Sequence, residues 1–282
     1  MAEDAWGRWG AEDEVGAPNL IGPDQVRLAA RLVRTGRVIS LSQPLSARTP
    51  VPGHRAGVQH LMARDGGDYA AGAKRPGGFQ FAEDVLILPL HTGTHIDALC
   101  HAWCGDRLYN GFPGHTVRST TGALRCGVEK LPPLVTRGVL LDVPAPGGAI
   151  GRADLQAAAS RAGLSLRPGD AVLIRTGWLE RQGATIDFTV EPGIDADAAL
   201  WLAESGAAVV GADNFAVEVL PFPAGEVFPV HQLLIRDWGV PLLEGLVLRE
   251  LAEAGATEFL FMAAPLPVVG ATGSPVAPVA VL

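Results

Sequence analysis

Glycine and proline interrupt this chain from end to end: they account for 35 and 22 of its 282 residues and gather in no single block. Proline inside a helix removes a hydrogen bond, and glycine there costs about 1 kcal/mol relative to alanine. Long uninterrupted helices are therefore disfavoured. The scatter points to many short elements joined by tight turns, a β-containing fold over a helical bundle. It also argues against a membrane span. The most apolar stretch, residues 259–282, is cut by Pro265, Pro267, Gly270, Pro275 and Pro278, leaving no run of about 18 apolar residues.

Between these breaks the chain is 48% hydrophobic with a net charge of only −8, enough apolar content for a sizeable core and too little charge to keep it open. Nucleic acid is not expected as a partner, because Lys74 and Lys130 are the only lysines and the arginines form no basic patch. The first ten residues lack a basic segment followed by an apolar one, and Cys100, Cys104 and Cys126 do not form a disulfide framework. A cytoplasmic protein is expected.

Apolar spacing predicts an amphipathic helix over residues 23–35, from Val26, Ala29, Ala30 and Val33, with Gly36 as its stop. A short strand follows at 38–41. Residues 53–81 are polar, glycine-rich and without a period, which predicts a long surface excursion of the kind that forms lids and binding loops. Residues 85–90 read as a buried strand. Further strands are expected at 138–143, 171–175, 207–211 and 258–263, with helices at 152–162, 195–205 and 246–254. Strands alternating with helices define an α/β fold with mixed sheet layers and packed helices, read as one domain over 1–282.

Three of the seven histidines fall within eleven residues, in His91-Thr-Gly-Thr-His95-Ile-Asp97-Ala-Leu-Cys-His101. Positions 91, 95, 97 and 101 differ by even numbers, so an extended segment turns all four to one face, whereas a helix would rotate 97 and 101 away. Two imidazoles and a carboxylate from His91, His95 and Asp97, with positions left open, suit a catalytic zinc or manganese ion. His101 then lies beside the metal and is free for proton transfer. Thr92 and Thr94 are candidates for orienting the rings. Cys100 and Cys104 read as small apolar residues packed beside the site.

The segment from His91 to His101 resembles the signature of the metal-dependent cyclase family, which includes bacterial kynurenine formamidase and isatin hydrolase. Weaker blocks extend the resemblance over most of the chain: Trp9-Gly-Ala-Glu-Asp-Glu-Val-Gly-Ala-Pro-Asn19, Val172-Leu-Ile-Arg-Thr-Gly-Trp178, Gly211-Ala-Asp-Asn214, Val230-His-Gln-Leu-Leu234, Leu243-Glu-Gly-Leu246 and Gly273-Ser-Pro-Val-Ala-Pro278. The resemblance implies a swivelling β/β/α fold, hydrolysis of an amide or lactone bond that is often part of a ring, and a homodimer or homotetramer. It makes His91, His95 and Asp97 metal ligands and His101 the acid/base. His231 and Glu244 match a second metal site bridged by Asp97, so one ion or two can be held. Leu99 stands where the formamidase-type motif has proline, and the stretch from His231 to Glu244 is longer than in the short formamidases. Both departures place the chain in a different, longer branch. On residue chemistry alone, Glu244 in its apolar run needs a partner; a metal or a histidine would serve, and so would an arginine such as Arg249.

Further candidates for contact with a small-molecule substrate are His60 in the 53–81 excursion, Trp178, Asp213 at a strand end, and Glu218. Trp178 in such a context is more often core than substrate contact, and Asp213 can equally belong to a turn. No Gly-x-Ser-x-Gly elbow and no glycine-rich phosphate loop is present, so serine-nucleophile and nucleotide-dependent chemistry have no visible support. The expected activity is metal-activated hydrolysis of a cyclic or N-formyl-aryl amide or lactone. Metal-assisted isomerisation or dehydration, and a binding protein without catalysis, are the competing readings.

Overall fold

A computed structural model describes residues 4–144, 148–182 and 186–282. Its principal strands, in chain order, are β1 (Val38–Ser40), β2 (Gln59–Arg64), β3 (Glu83–Ile87), β4 (His95–Asp97), β5 (Leu134–Asp142) and β6 (Ala171–Arg175). They continue with β7 (Val209–Ala212), β8 (Leu242–Glu244), β9 (Glu258–Ala263), β10 (Gly273–Pro275) and β11 (Val279–Val281). β2 and β3 pair with each other, and the other nine form one sheet in the order β1-β11-β9-β5-β6-β7-β8-β4-β10. β5, β6, β7 and β8 run parallel, and antiparallel partners flank them on both sides.

The parallel centre explains the unbroken apolar runs. Val172, Leu173 and Ile174 of β6 and Val209 and Val210 of β7 are fully buried, as strands covered on both faces require. The helices α1 (Pro23–Ala30), α2 (Arg152–Arg161) and α3 (Ala196–Glu204) include some of this cover. α3 buries Ala198, Ala199, Leu202 and Ala203, and Asp195 caps it by accepting from the Ala198 N–H at 2.8 Å. The result is the mixed α/β architecture that the alternating pattern predicts. Among the described residues no helix is long and apolar enough to cross a membrane.

Several local expectations give way to tertiary hydrogen bonding. The helix predicted to residue 35 ends at Ala30 and continues only as i→i+3 turns, because the Thr35 and Gly36 N–H groups donate to the carbonyl of Leu282. The helix expected over 246–254 is shortened to Arg249–Glu253, and the Leu246 and Val247 N–H groups before it donate to Ala212 and Leu41. The buried strand expected at 85–90 is instead β3, whose five residues are all exposed on a ribbon paired to β2 alone. β2 and a short helix, Gly66–Ala70, lie within the excursion expected at 53–81.

Gly138 of β5 shows how tightly the sheet centre is filled. It lies opposite Phe259 of β9, and a Cβ there would meet the ring at 2.2 Å. Gly138→Ala is expected to destabilise the fold by about 2 kcal/mol through overpacking, read as a lower denaturant midpoint with an unchanged slope. An unchanged midpoint would mean that the Phe259 ring can move aside at no cost.

Candidate metal centre

β4 contributes only three residues, but it lies between β8 and β10 in a register that assembles the centre. Glu244 faces His95 across one side, and Gly273 faces Asp97 across the other. A Cβ on residue 273 would lie 2.6 Å from His91 Cε1, so glycine keeps open the space that the imidazole fills. Gly93, with φ +60°, turns the chain between His91 and His95. After Asp97 the chain folds back, with the His101 N–H donating to Ala98 O at 2.9 Å. The single extended face expected over 91–101 is therefore a turn, a three-residue strand and a second turn. The four side chains still converge, because the turns bring His91 and His101 to the strand.

Hydrogen bonds fix the orientation of most of the rings. His95 Nδ1 donates to Gly93 O at 2.9 Å; since a carbonyl only accepts, Nδ1 carries a proton, and in the neutral ring Nε2 keeps the lone pair. His231, at the end of the short helix Pro229–His231, has Nδ1 2.5 Å from Glu218 Oε1, and Glu218 also accepts from the backbone N–H groups of Val230 and His231. His91 has Nδ1 2.6 Å from Asp97 Oδ1 and Nε2 3.0 Å from Thr272 Oγ1. The expected ring partners Thr92 and Thr94 do not serve. Thr94 Oγ1 donates to Gly245 O, and Thr92 Oγ1 is buried without a partner among the described residues.

Three buried polar atoms that lack hydrogen-bond partners point into the middle of this group: His95 Nε2, Asp97 Oδ2 and Glu244 Oε1. His95 Nε2 is 3.1 Å from Glu244 Oε2 without hydrogen-bond alignment, and His231 Nε2 lies 3.4 Å from Glu244 Oε1 and 3.8 Å from Asp97 Oδ2. Sealed, unsatisfied polar atoms cost roughly 1–3 kcal/mol each, and a cation among them removes that cost. Two ligand groups can be drawn, each with donor atoms within 4.8 Å of one another: His91, Asp97 and His101, and His95, Asp97 and Glu244. Imidazole nitrogens mixed with carboxylate oxygens are donors suited to zinc or manganese. The residues thus fit a divalent ion, with Asp97 common to both groups. Strand register sets His95 against Glu244, while His91 lies with His101. Arg249, the alternative partner for Glu244, instead pairs with Glu180 at 3.3 Å.

Electrostatics follow the same geometry. Burial opposes ionisation of Asp97, but His101, His91 and His95 outweigh it and hold its carboxyl well below the usual range. Glu244 is likewise lowered by His231 and His95 against burial and the charge of Asp97. Burial would lower His231, yet its bond to Glu218 and the nearby Glu244 carboxylate raise it to about 10. His101 goes the other way: burial pulls it down to about 4, with Asp97 opposing, so its imidazole is neutral at pH 7.

A cavity of about 300 Å³ opens onto this group and is lined by His101, His231 and Glu244 together with Phe188, Phe215 and Phe228. Its wall also includes Arg55 and Glu191, neither of which stands out in the sequence. Arg55 donates to His91 O and lies over the Phe215 ring at 5.3 Å. The other candidates lie elsewhere. His60 sits on the exposed ribbon, 2.7 Å from Asp84. Trp178 is buried behind the wall with Nε1 donating to Val190 O. Asp213 holds the neighbouring strand end, accepting from Thr176 and Gly177. Glu218 is fully buried behind His231, where it orients the ring and does not meet the cavity.

Residues 39–219 match the family model described as "Putative cyclase". That segment includes His91, His95, Asp97 and His101 and stops short of His231 and Glu244. No curated protein matches the chain. Among solved structures, a crystal structure described as a novel cyclase is 38% identical, with a TM-score of 0.91 over 99% of this chain and 100% of that one. Isatin hydrolase A from Labrenzia aggregata, bound to benzyl benzoate, is 22% identical with a TM-score of 0.66 over 90% of this chain and 95% of its own. A "predicted metal-dependent hydrolase" from Bacillus stearothermophilus is 23% identical with a TM-score of 0.60, over 86% and 97%. The last two share the fold. With the family model covering more than half of its length and a 38% identical cyclase matching it end to end, the chain belongs to the cyclase family.

Proposed function

We infer that this protein is a metal-dependent hydrolase that opens an amide or lactone bond in a small aromatic compound. The observation that carries the reading is the convergence of three sealed, unsatisfied ligand atoms around Glu244, which lines an aromatic cavity beside an imidazole that is neutral at pH 7. Its fold relatives, described as isatin hydrolase and metal-dependent hydrolase, support the same class.

His95, Asp97, Glu244 and His231 would hold a zinc or manganese ion, and His91 with Asp97 a second one. A divalent ion there supplies Lewis acidity, polarising a carbonyl and lowering the pKa of water. The rest is the work of the chain. Glu218 keeps His231 Nε2 directed inward, and Gly93 O does the same for His95. Phe188, Phe215 and Phe228 pack against an aromatic ring and exclude bulk water. His101 takes a proton from the attacking water and returns it to the leaving nitrogen or oxygen.

The test is metal removal. Chelator-treated protein is expected to lose about a thousandfold or more in turnover of N-formylaniline, an aryl lactone or a cyclic imide, since the ion is asked for several kcal/mol. Zinc or manganese should restore it. Products formed in ¹⁸O-water should carry solvent oxygen in the new acid, which isomerisation would not produce. Full turnover by protein shown to be metal-free would overturn the reading.

A further inference from the structure

Glu191 lines the cavity, and nothing in the reading above uses it. Its side chain is almost wholly buried, and its Oε2 accepts from the backbone N–H of Phe215 at 2.7 Å and of Ala216 at 3.2 Å. Oε1 has no hydrogen-bond partner among the described residues, yet it is not one of the sealed polar atoms, so it opens on the cavity. No cation is paired with this carboxyl among the described residues, and Arg55 of the same wall is engaged with His91 O and Phe215. Phe188, Phe215 and Leu220 make its surroundings apolar.

An ionised carboxylate there would give up most of its hydration, with no cation and only the cavity side of one oxygen to replace it. Burial pushes Glu191 up to about 8, with the two backbone amides pulling against it and the negative charges of Glu244 and Asp187 adding to it. Oε2 is already an acceptor of two N–H groups, so the proton belongs on Oε1. We propose that Glu191 acts as a neutral carboxylic acid whose Oε1–H donates a hydrogen bond to an acceptor oxygen of the substrate. Resting on the hydrolase reading, this narrows the substrate class to compounds that present a carbonyl or ring oxygen, and not an N–H, to Glu191. An ionised Glu191 would select the opposite polarity, because it could only accept.

Calorimetric binding to purified, metal-loaded protein tests this with three probes of one shape. Oxindole carries a carbonyl and an N–H, N-methyloxindole carries the carbonyl alone, and indane carries neither. Wild-type protein is expected to bind the two lactams within about twofold of each other. Glu191→Gln keeps an oxygen for the two backbone amides and an N–H to donate, and should hold both lactams within about threefold. Glu191→Met fills the same volume without a donor and should lose about tenfold on both lactams, the worth of one hydrogen bond, while indane is unchanged. The proposal is overturned if N-methylation alone weakens wild-type binding tenfold, or if the glutamine variant is as impaired as the methionine variant. It is equally overturned if the methionine variant loses all three probes alike, since that is the mark of a scaffold residue. Because the readout is binding, it stands apart from turnover: a failure of the hydrolase reading shows in the metal-removal assay and leaves these ratios untouched.

Discussion

Asp97→Asn protein, purified and then equilibrated with zinc or manganese, should lose metal affinity by at least about a hundredfold and turnover with it. The size of the effect comes from the position of one side chain. Asp97 is fully buried and belongs to both ligand groups, with Oδ1 2.6 Å from His91 Nδ1 and Oδ2 turned toward His231 Nε2 at 3.8 Å. Asparagine keeps the shape but removes the charge and replaces one oxygen by a donor. Whichever way the amide turns, its N–H₂ faces either His91 Nδ1 or His231 Nε2. Glu244→Gln is the internal comparison, because it leaves His91, Asp97 and His101 intact. Metal analysis of the two variants should therefore differ, with near-complete loss in the first and partial loss in the second. Full metal content in Asp97→Asn would remove the carboxylate from the centre and undo the assignment of both groups.

The centre was readable in the sequence where it is local and hidden where it depends on the register of distant strands. His91, His95, Asp97 and His101 announce themselves by crowding three imidazoles and a carboxylate into one short segment. Even spacing was an incomplete reason for their convergence, since Gly93 and the turn at Ala98 supply what extension alone would not. His231 carries no local signal and Glu244 only that of an acid in an apolar run; the resemblance alone ties them to the centre. Their place is set by the pairing of Leu243 with Ile96 and Glu244 with His95, which no spacing rule encodes. Glu191 was overlooked for the same reason: in sequence it is one acid before a Pro-Gly turn, and only the amides of Phe215 and Ala216 give it meaning. β3 shows the converse. Its apolar run reads as core, but burial depends on what lies against a strand, and β3 has β2 beside it and no cover. The central strands were legible because parallel strands covered on both faces must be apolar throughout.

His101→Ala should keep its metal and lose about a thousandfold in turnover, within the usual contribution of a general acid/base. The two expectations separate a base from a ligand, and the structure gives a reason to choose. His95 and His231 each have the remote ring nitrogen pinned, one to Gly93 O and one to Glu218, which is how ligand imidazoles are held. His101 has no side-chain hydrogen bond among the described residues and lies against the His91 ring at 4.0 Å between centroids, on the cavity wall. A ring so placed can turn between a water and a leaving group. Burial keeps it unprotonated at pH 7, so it begins the reaction able to accept. The space vacated by the alanine opens on the cavity, so added imidazole should restore part of the lost rate, an outcome that a merely structural role would not give. Loss of metal from His101→Ala would make His101 the third ligand of the His91 group and leave the reaction without its assigned base.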